Sequence, residues 1–138
     1  MIDPLQASAQ IASSGLEAQS IRLRVVSENL ANANSTGRTP GSEPYRRKTT
    51  TFTAEMDRAA GVPVVKIKDI GVDRAPFRVD YEPTHPAADQ DGYVKLPNVS
   101  EMVEAGDGRE AERSYEANLA TLNQARNMFS KTLDILKA

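Results

Sequence analysis

The chain predicts a mainly α-helical fold with a small β region: long N- and C-terminal helices packed as a coiled-coil-like pair, joined by a short middle segment that contains a β-hairpin. Three observations predict it. The N-terminal stretch carries Leu5, Ala9, Ala12, Leu16, Gln19, Leu23, Val26, Leu30 and Ala33 at steps of four and three. The C-terminal stretch repeats the pattern with Tyr115, Leu119, Leu122, Arg126, Phe129, Leu133 and Leu136. Side chains spaced this way share one narrow seam that suits a partner helix, and only Gln19 and Arg126 interrupt it. The third observation is that every proline after Pro4 lies between Pro40 and Pro97, which keeps regular helix out of the middle.

The first helix is expected over residues 3–33. Asp3 is a good N-cap, and Pro4 stands at the first turn, where its missing N–H costs little. Gly15, set among Ser13, Ser14 and Ala18, has two readings: a tolerated interior glycine, or a place where another helix backbone approaches closely. The segment Asn32-Ala33-Asn34-Ser35-Thr36-Gly37 should stop the helix, because Asn and Gly accept the left-handed conformation and Ser and Thr favour turns.

Three strand-like stretches follow, bounded by Gly and Pro: residues 45–53, 62–72 and 77–81. The last two alternate cleanly, so a hairpin between them is expected, with Asp73-Arg74-Ala75-Pro76 near its turn. Residues 54–60 are open to a helical turn. Residues 82–99 read as loop, since Pro83 and Pro86 each restrict the residue before them as well. The second helix is expected over about 101–136, with Gly106 and Gly108 interrupting its start at roughly 2 kcal/mol together. In domain terms, residues 1–36 and 101–138 form a helical inner region, residues 37–100 an extended, β-rich middle, and the whole one elongated unit.

Composition narrows the function classes. At 138 residues with a net charge of −2, the chain lacks the basic excess of a dedicated nucleic-acid binder. It has no cysteine, hence no disulfide framework and no thiolate metal site. No run is long and apolar enough to span a membrane, and the N-terminus shows no cleavable secretory signal. His85 is the only histidine, with Asp80, Glu82, Asp89 and Asp91 nearby; without a second histidine, a ligand pair on one helix face or EF-hand spacing, this reads as a solvated acidic loop in preference to an oxygen-rich metal site. No Gly-x-Ser-x-Gly turn and no phosphate-cradling glycine loop is present. No cofactor and no small-molecule substrate is therefore expected. The basic cluster Arg46-Arg47-Lys48 reads as a solvated strand face, with a polyanion or an acidic neighbour as the alternatives.

Both helices also carry a second stripe of small or apolar residues off their main seams, at Ile11, Ala18 and Val25 and at Ala111, Ala125 and Met128 or Ile135, with the polar Asn118 and Thr132 in the same stripe of the second helix. A helix apolar on more than one side is buried on more than one side. This favours assembly, with Leu5, Leu16, Leu23, Val26, Leu30, Tyr115, Leu119, Leu122, Phe129, Leu133 and Leu136 as the packing residues.

Two blocks then resemble a known family. The run from Ser27 to Gly37, including Asn29, Leu30, Ala31, Asn32, Thr36 and Gly37, with Tyr45-Arg46 soon after, is similar to the helix-end motif of bacterial flagellar axial proteins. The second block is narrower. Pro83, His85, Pro86 and Asp89, then Gly92-Tyr93, then Pro97-Asn98, and finally Tyr115 and Asn118 in the last helix, resemble the proximal rod proteins of the flagellar basal body. The resemblance implies a non-enzymatic structural subunit of a helical drive-shaft tube that transmits torque and surrounds an export channel. It implies self-association, neighbours among the other proximal and distal rod proteins, and the export apparatus with its adaptor at the rod base. It also implies a place in the rod, within the periplasmic space, reached by the flagellar type III pathway without a cleaved signal. In that family the stretch before Arg109 usually carries apolar residues where this chain has Gly106 and Gly108. The alternative from another class is a soluble coiled-coil adaptor or secretion chaperone working as a discrete dimer, and a more distant one is a metal- or carbohydrate-active enzyme built on residues 73–95.

Overall fold

The computed structural model describes residues 3–138; Met1 and Ile2, the first two residues of the expected 1–36 segment, lie outside the described residues. Two long helices flank two small antiparallel hairpins. In chain order these are α1 (Pro4–Ala31), β1 (Lys48–Asp57), β2 (Val62–Val72), β3 (Arg78–Tyr81), β4 (Tyr93–Leu96) and α2 (Glu101–Lys137). β1 pairs with β2, and β3 pairs with β4.

α1 begins where the sequence places it, with the Asp3 carbonyl accepting the Ala7 N–H at 2.9 Å. It ends two residues earlier than expected. The Asn32 amide turns back and donates to the Glu28 carbonyl at 2.8 Å, and the Ser35 hydroxyl donates to the Asn32 carbonyl at 2.9 Å. The same two carbonyls also accept the Asn32 and Ser35 backbone N–H groups, each at 3.1 Å, so the side chains add a second bond to each at the helix end.

The β pairing differs from the sequence-based expectation in two ways. Residues 54–57 are strand and not a helical turn. Asp57 closes the β1–β2 hairpin: its Oδ1 accepts the Ala59 and Ala60 N–H groups at 2.9 and 3.2 Å, and Gly61 (φ 66°) donates to its carbonyl at 2.7 Å. An Asx turn followed by a left-handed glycine is a tight reversal. The expected β2–β3 hairpin does not form. Residues 73–76 instead bend at Ala75, whose N–H donates to Asp73 Oδ1 at 2.8 Å, and are held by Asn98, whose Nδ2 donates to the Asp73 and Ala75 carbonyls at 3.0 and 3.1 Å. β3 pairs with β4 in the register Arg78↔Leu96, Val79↔Lys95, Asp80↔Val94, Tyr81↔Tyr93. Alternation in sequence located β3, but the reading of residues 82–99 as loop is corrected: β4 forms within them, where the turn chemistry around Gly92 returns the chain against β3.

α2 runs unbroken from Glu101 through Gly106 and Gly108, so the expected interruption is absent. A Cβ at Gly106 would meet nothing within 4 Å, and one at Gly108 would meet Val26 Cγ1 at 3.4 Å. Neither glycine breaks the helix, because the Ser100 carbonyl accepts the Glu104 N–H at 3.0 Å and the Glu104 side chain is fully buried and bonded.

The chain gathers into two compact units. The first comprises residues 1–23, 51–69 and 109–138. In it α1 and α2 run antiparallel, and their contact is built from small residues: Ala12, Ala18, Ala111 and Ala125 are buried, and a Cβ added to Gly15 would stand 2.6 Å from Asn118 Nδ2. The neighbour that Gly15 admits is thus this chain's own α2, through the Asn118 side chain and not through a helix backbone. The β1–β2 tip lies along α1, with the Gln10 amide donating to Asp57 Oδ2 at 2.7 Å and the Val65 N–H to the Ser14 hydroxyl at 3.1 Å. The second unit comprises residues 24–50 and 70–108. Its core is Val25, Val26, Ala33, Ala87, Val94 and Val99, together with two buried polar residues, Asn29 and Glu104.

Candidate assembly site

The second unit is organised around Asn29, which is 1% exposed on the last turns of α1. Its Oδ1 accepts the Tyr45 hydroxyl at 2.8 Å and the Lys48 N–H at 2.9 Å. Its Nδ2 donates to the Lys48 carbonyl at 2.9 Å and to Glu104 Oε2 at 3.1 Å. An amide has two donors and two acceptor sites, and all four are filled. Asn29 acts as a substitute strand neighbour for Lys48 at the start of β1.

Arg47 completes the clamp. Its Nε donates to Glu104 Oε1, Nη2 reaches Asp107 Oδ2 at 3.2 Å and Nη1 lies 3.7 Å from Asp73 Oδ2. Its backbone N–H donates to Asn98 Oδ1 at 2.8 Å. Burial opposes the guanidinium charge, but the bond to Glu104 and the charges of Glu104, Asp107 and Asp73 outweigh it and raise the Arg47 pKa. The cluster joins the end of α1, the start of β1, the segment after β2 and the first turns of α2. The reading of Arg46-Arg47-Lys48 as a solvated face is therefore corrected. Lys48 pairs with Glu28 at 2.7 Å, which lowers the Glu28 pKa and raises that of Lys48. Arg46 stands over the Phe77 ring at 4.2 Å.

The motif residues of the second block build the β3–β4 connection. Asp89 Oδ1 accepts the Asp91 and Tyr93 N–H groups at 3.0 and 2.9 Å. Gly92 has φ 85°, and a Cβ there would lie 2.9 Å from the Tyr81 ring and 3.0 Å from Pro83 Cβ, so the turn requires glycine twice over. His85 Nδ1 accepts the Ala87 N–H at 3.0 Å, and the buried Ala87 in turn accepts the Gly41 N–H at 3.2 Å. Pro86 follows in the same turn and is exposed, while Pro97 is fully buried. The Ala33 carbonyl accepts from Arg78 Nη2 at 3.0 Å. At the helix end, Thr36 and Gly37 are half-buried, and Leu30 and Ala31 are exposed. Among the described residues no group of three or more His, Cys, Asp and Glu side chains is placed to hold a metal ion.

The seam residues fall in two classes. Val26 is buried, and Leu5, Leu16, Leu23, Tyr115 and Leu122 are half-buried. Leu30, Leu119, Phe129, Leu133 and Leu136 are 40%, 40%, 53%, 39% and 78% exposed. In the first unit a groove of about 510 Å³ runs between the helices, lined by Leu5, Gln6, Ala9, Ala125, Arg126, Phe129, Ser130 and Leu133. The helices meet most closely through their small residues, and the large apolar side chains of α2 remain partly exposed along the groove beside that contact. An exposed apolar stripe of this size on a single chain marks an interaction surface.

Sequence reasoning did not find Arg47, Glu104, Asp73 and Asp107 as a set. Their partners lie far apart in the chain and no spacing rule connects them. The one signal was Glu104 in a helix with no seam role, standing beside two glycines.

A family model described as "Flagella basal body rod protein" matches residues 10–38, the stretch that contains Asn29 and the helix-end motif. The flagellar basal-body rod protein FlgC of Agrobacterium fabrum is 57% identical over 137 residues, covering 99% of each chain. The protein of the same name from Escherichia coli O6:H1 is 44% identical, covering 91% of this chain and 92% of its own. That of Borreliella burgdorferi is 37% identical, covering 96% and 98%. With identity of this order over nearly the whole length, the chain belongs to the FlgC family of flagellar basal-body rod proteins.

Proposed function

We propose that this chain is a structural subunit of the proximal flagellar rod, packing against copies of itself and against other rod proteins in a helical tube that transmits torque around an export channel. The observation that carries this reading is the full-length match to relatives named as basal-body rod proteins. The partly exposed apolar stripe of α2 supports it, because such a stripe needs a neighbour to cover it. In this reading residues 1–36 and 101–138 form the inner helical layer and residues 37–100 lie further out. The chain passes through the flagellar type III pathway to the periplasmic part of the rod and meets the export apparatus and its adaptor at the rod base. It performs no catalysis. A discrete coiled-coil adaptor is not supported by the relatives, which are named as rod proteins.

The experiment is replacement in motile cells. Leu23→Asp and Leu122→Asp each place a charge on a seam and are expected to block incorporation into basal bodies and abolish swimming. Normal basal bodies carrying either variant would refute the packing assignment. His85→Ala is expected to leave no lost turnover to detect, since its imidazole serves a turn.

A further inference from the structure

We infer that the outer edge of β1 from Phe52 to Met56 takes an extended segment of a different rod chain, apolar at alternate positions, as a third strand. This rests on the rod-subunit reading and names one contact within it. The direction of each backbone group follows from the bonds at the two ends of β1. The Lys48 N–H and carbonyl both bond the Asn29 amide, at 2.9 Å each. The Arg47 carbonyl accepts the Asp73 N–H at 2.8 Å, and the Asp57 carbonyl accepts the Gly61 N–H at 2.7 Å. Along an antiparallel strand the N–H and carbonyl of one residue point the same way, and successive residues alternate. The odd-numbered residues of β1 therefore face β2. The even-numbered ones, Phe52, Ala54 and Met56 among them, face away from it.

The two edges of this hairpin differ. On β2 the Val65 N–H donates to the Ser14 hydroxyl at 3.1 Å, and Pro63, two residues before it on the same edge, has no N–H to offer. Proline and a covering element are ways in which an edge is closed to further strands. On β1 the Asn29 amide fills the rung at Lys48 as a neighbouring strand would. Beyond it, among the described residues, no hydrogen bond reaches the backbone of Phe52, Ala54 or Met56 from outside the hairpin. Residues 49–54 carry no proline, no glycine and no charge, and their threonines and Phe52 favour strand. Phe52, Ala54 and Met56 are exposed, Met56 at 62%, and their spacing of two puts them on one face. Backbone bonds hold an added strand, and side chains at alternate positions select it, here apolar ones. The β1 edge of one copy against the β1 edge of another would be isologous and would close as a dimer. A subunit of a continuing tube calls for a different chain there.

Amide hydrogen exchange reads the edge in the unaltered protein. In the isolated chain the N–H groups of Phe52, Ala54 and Met56 are expected to exchange faster than those of Thr51, Thr53 and Glu55. In purified basal bodies exchange across residues 52–56 is expected to slow at least about tenfold. An unchanged rate in basal bodies overturns the inference. Proline substitution tests the same edge. Ala54→Pro removes an outward N–H and is expected to leave the unfolding midpoint of the isolated chain near that of the wild type while reducing swimming at least about tenfold. Thr53→Pro removes an inward N–H and is expected to lower the midpoint. Normal swimming with Ala54→Pro, or a fall in midpoint as large as that of Thr53→Pro, overturns the edge. A photo-crosslinking residue in place of Met56 is expected to join this chain to a different rod chain in basal bodies. Adducts with a second copy of this chain alone overturn the choice of partner. Failure of the rod reading would look different: basal bodies would assemble fully with the subunit absent.

Discussion

Asn29 shows how much one side chain settles. Its four bonds hold the Lys48 backbone, the Tyr45 hydroxyl and Glu104 at once. Asn29→Ala strands the half-buried Tyr45 hydroxyl and Lys48 backbone and removes one bond from the buried Glu104, and is expected to cost about 3 kcal/mol, measured by denaturant unfolding. Arg47→Met leaves Glu104, 0% exposed, without its counter-charge and is expected to cost roughly 3–5 kcal/mol. Arg47→Met/Glu104→Leu should recover much of that loss, because the penalty comes from the orphaned charge. Tyr45 gives a pH test. Burial lifts its pKa above the ordinary 10.0, opposed by Lys48 and reinforced by Glu28 and Glu104. A phenol raised in the folded state binds its proton more tightly there than in the unfolded chain. Its stabilisation is complete below pH 10 and drains away as pH climbs from there through the folded value. Unfolding of the wild type should therefore steepen above about pH 10, and Tyr45→Phe should remove that part of the slope.

At the scale of the element, the helices show where backbone cost is tolerated and where close approach is demanded. Gly106 lies in the helix interior with open space around it, so Gly106→Ala is expected to raise stability by about 0.5–1 kcal/mol, seen as a higher unfolding midpoint. Gly15 is the opposite case. Any Cβ there collides with the Asn118 amide, which is itself bonded to the Ser114 carbonyl at 3.0 Å. Gly15→Val is expected to cost about 1–3 kcal/mol, and Asn118→Ala in the same chain to return part of it. The hairpins follow the same logic. Asp57 with Gly61 and Asp89 with Gly92 pair a carboxylate that caps backbone N–H groups with a glycine in the left-handed region.

For the whole molecule, division of labour between small and large side chains is what makes a subunit of this kind. Small residues let α1 and α2 meet within the chain, which leaves the large apolar row of α2 for neighbours. Truncating Phe129 or Leu133 to Ala is accordingly expected to change the stability of the isolated chain by less than about 1 kcal/mol while impairing assembly. A loss of several kcal/mol in the isolated chain would instead place those side chains in an intramolecular core.

The amino-acid sequence by itself determined the two helices, the heptad row, the α1 start and the family motifs, because these depend on local periodicity, proline exclusion and capping. It located β2 and β3 through alternation and part of β1 through its Thr and aromatic content, but not β4, which lies in a stretch that reads as loop. Only the tertiary structure decided which strands pair, because partner choice rests on turn chemistry and on the Asn98 bonds to residues 73–76. Only it showed that Arg47 meets Glu104, Asp73 and Asp107, since those contacts join residues with no fixed spacing. It also decided which faces of the helices meet. Periodicity marks an apolar row, but the closeness of two backbones is set by the smallest side chains between them, and here those are Gly15, Ala12, Ala18, Ala111 and Ala125.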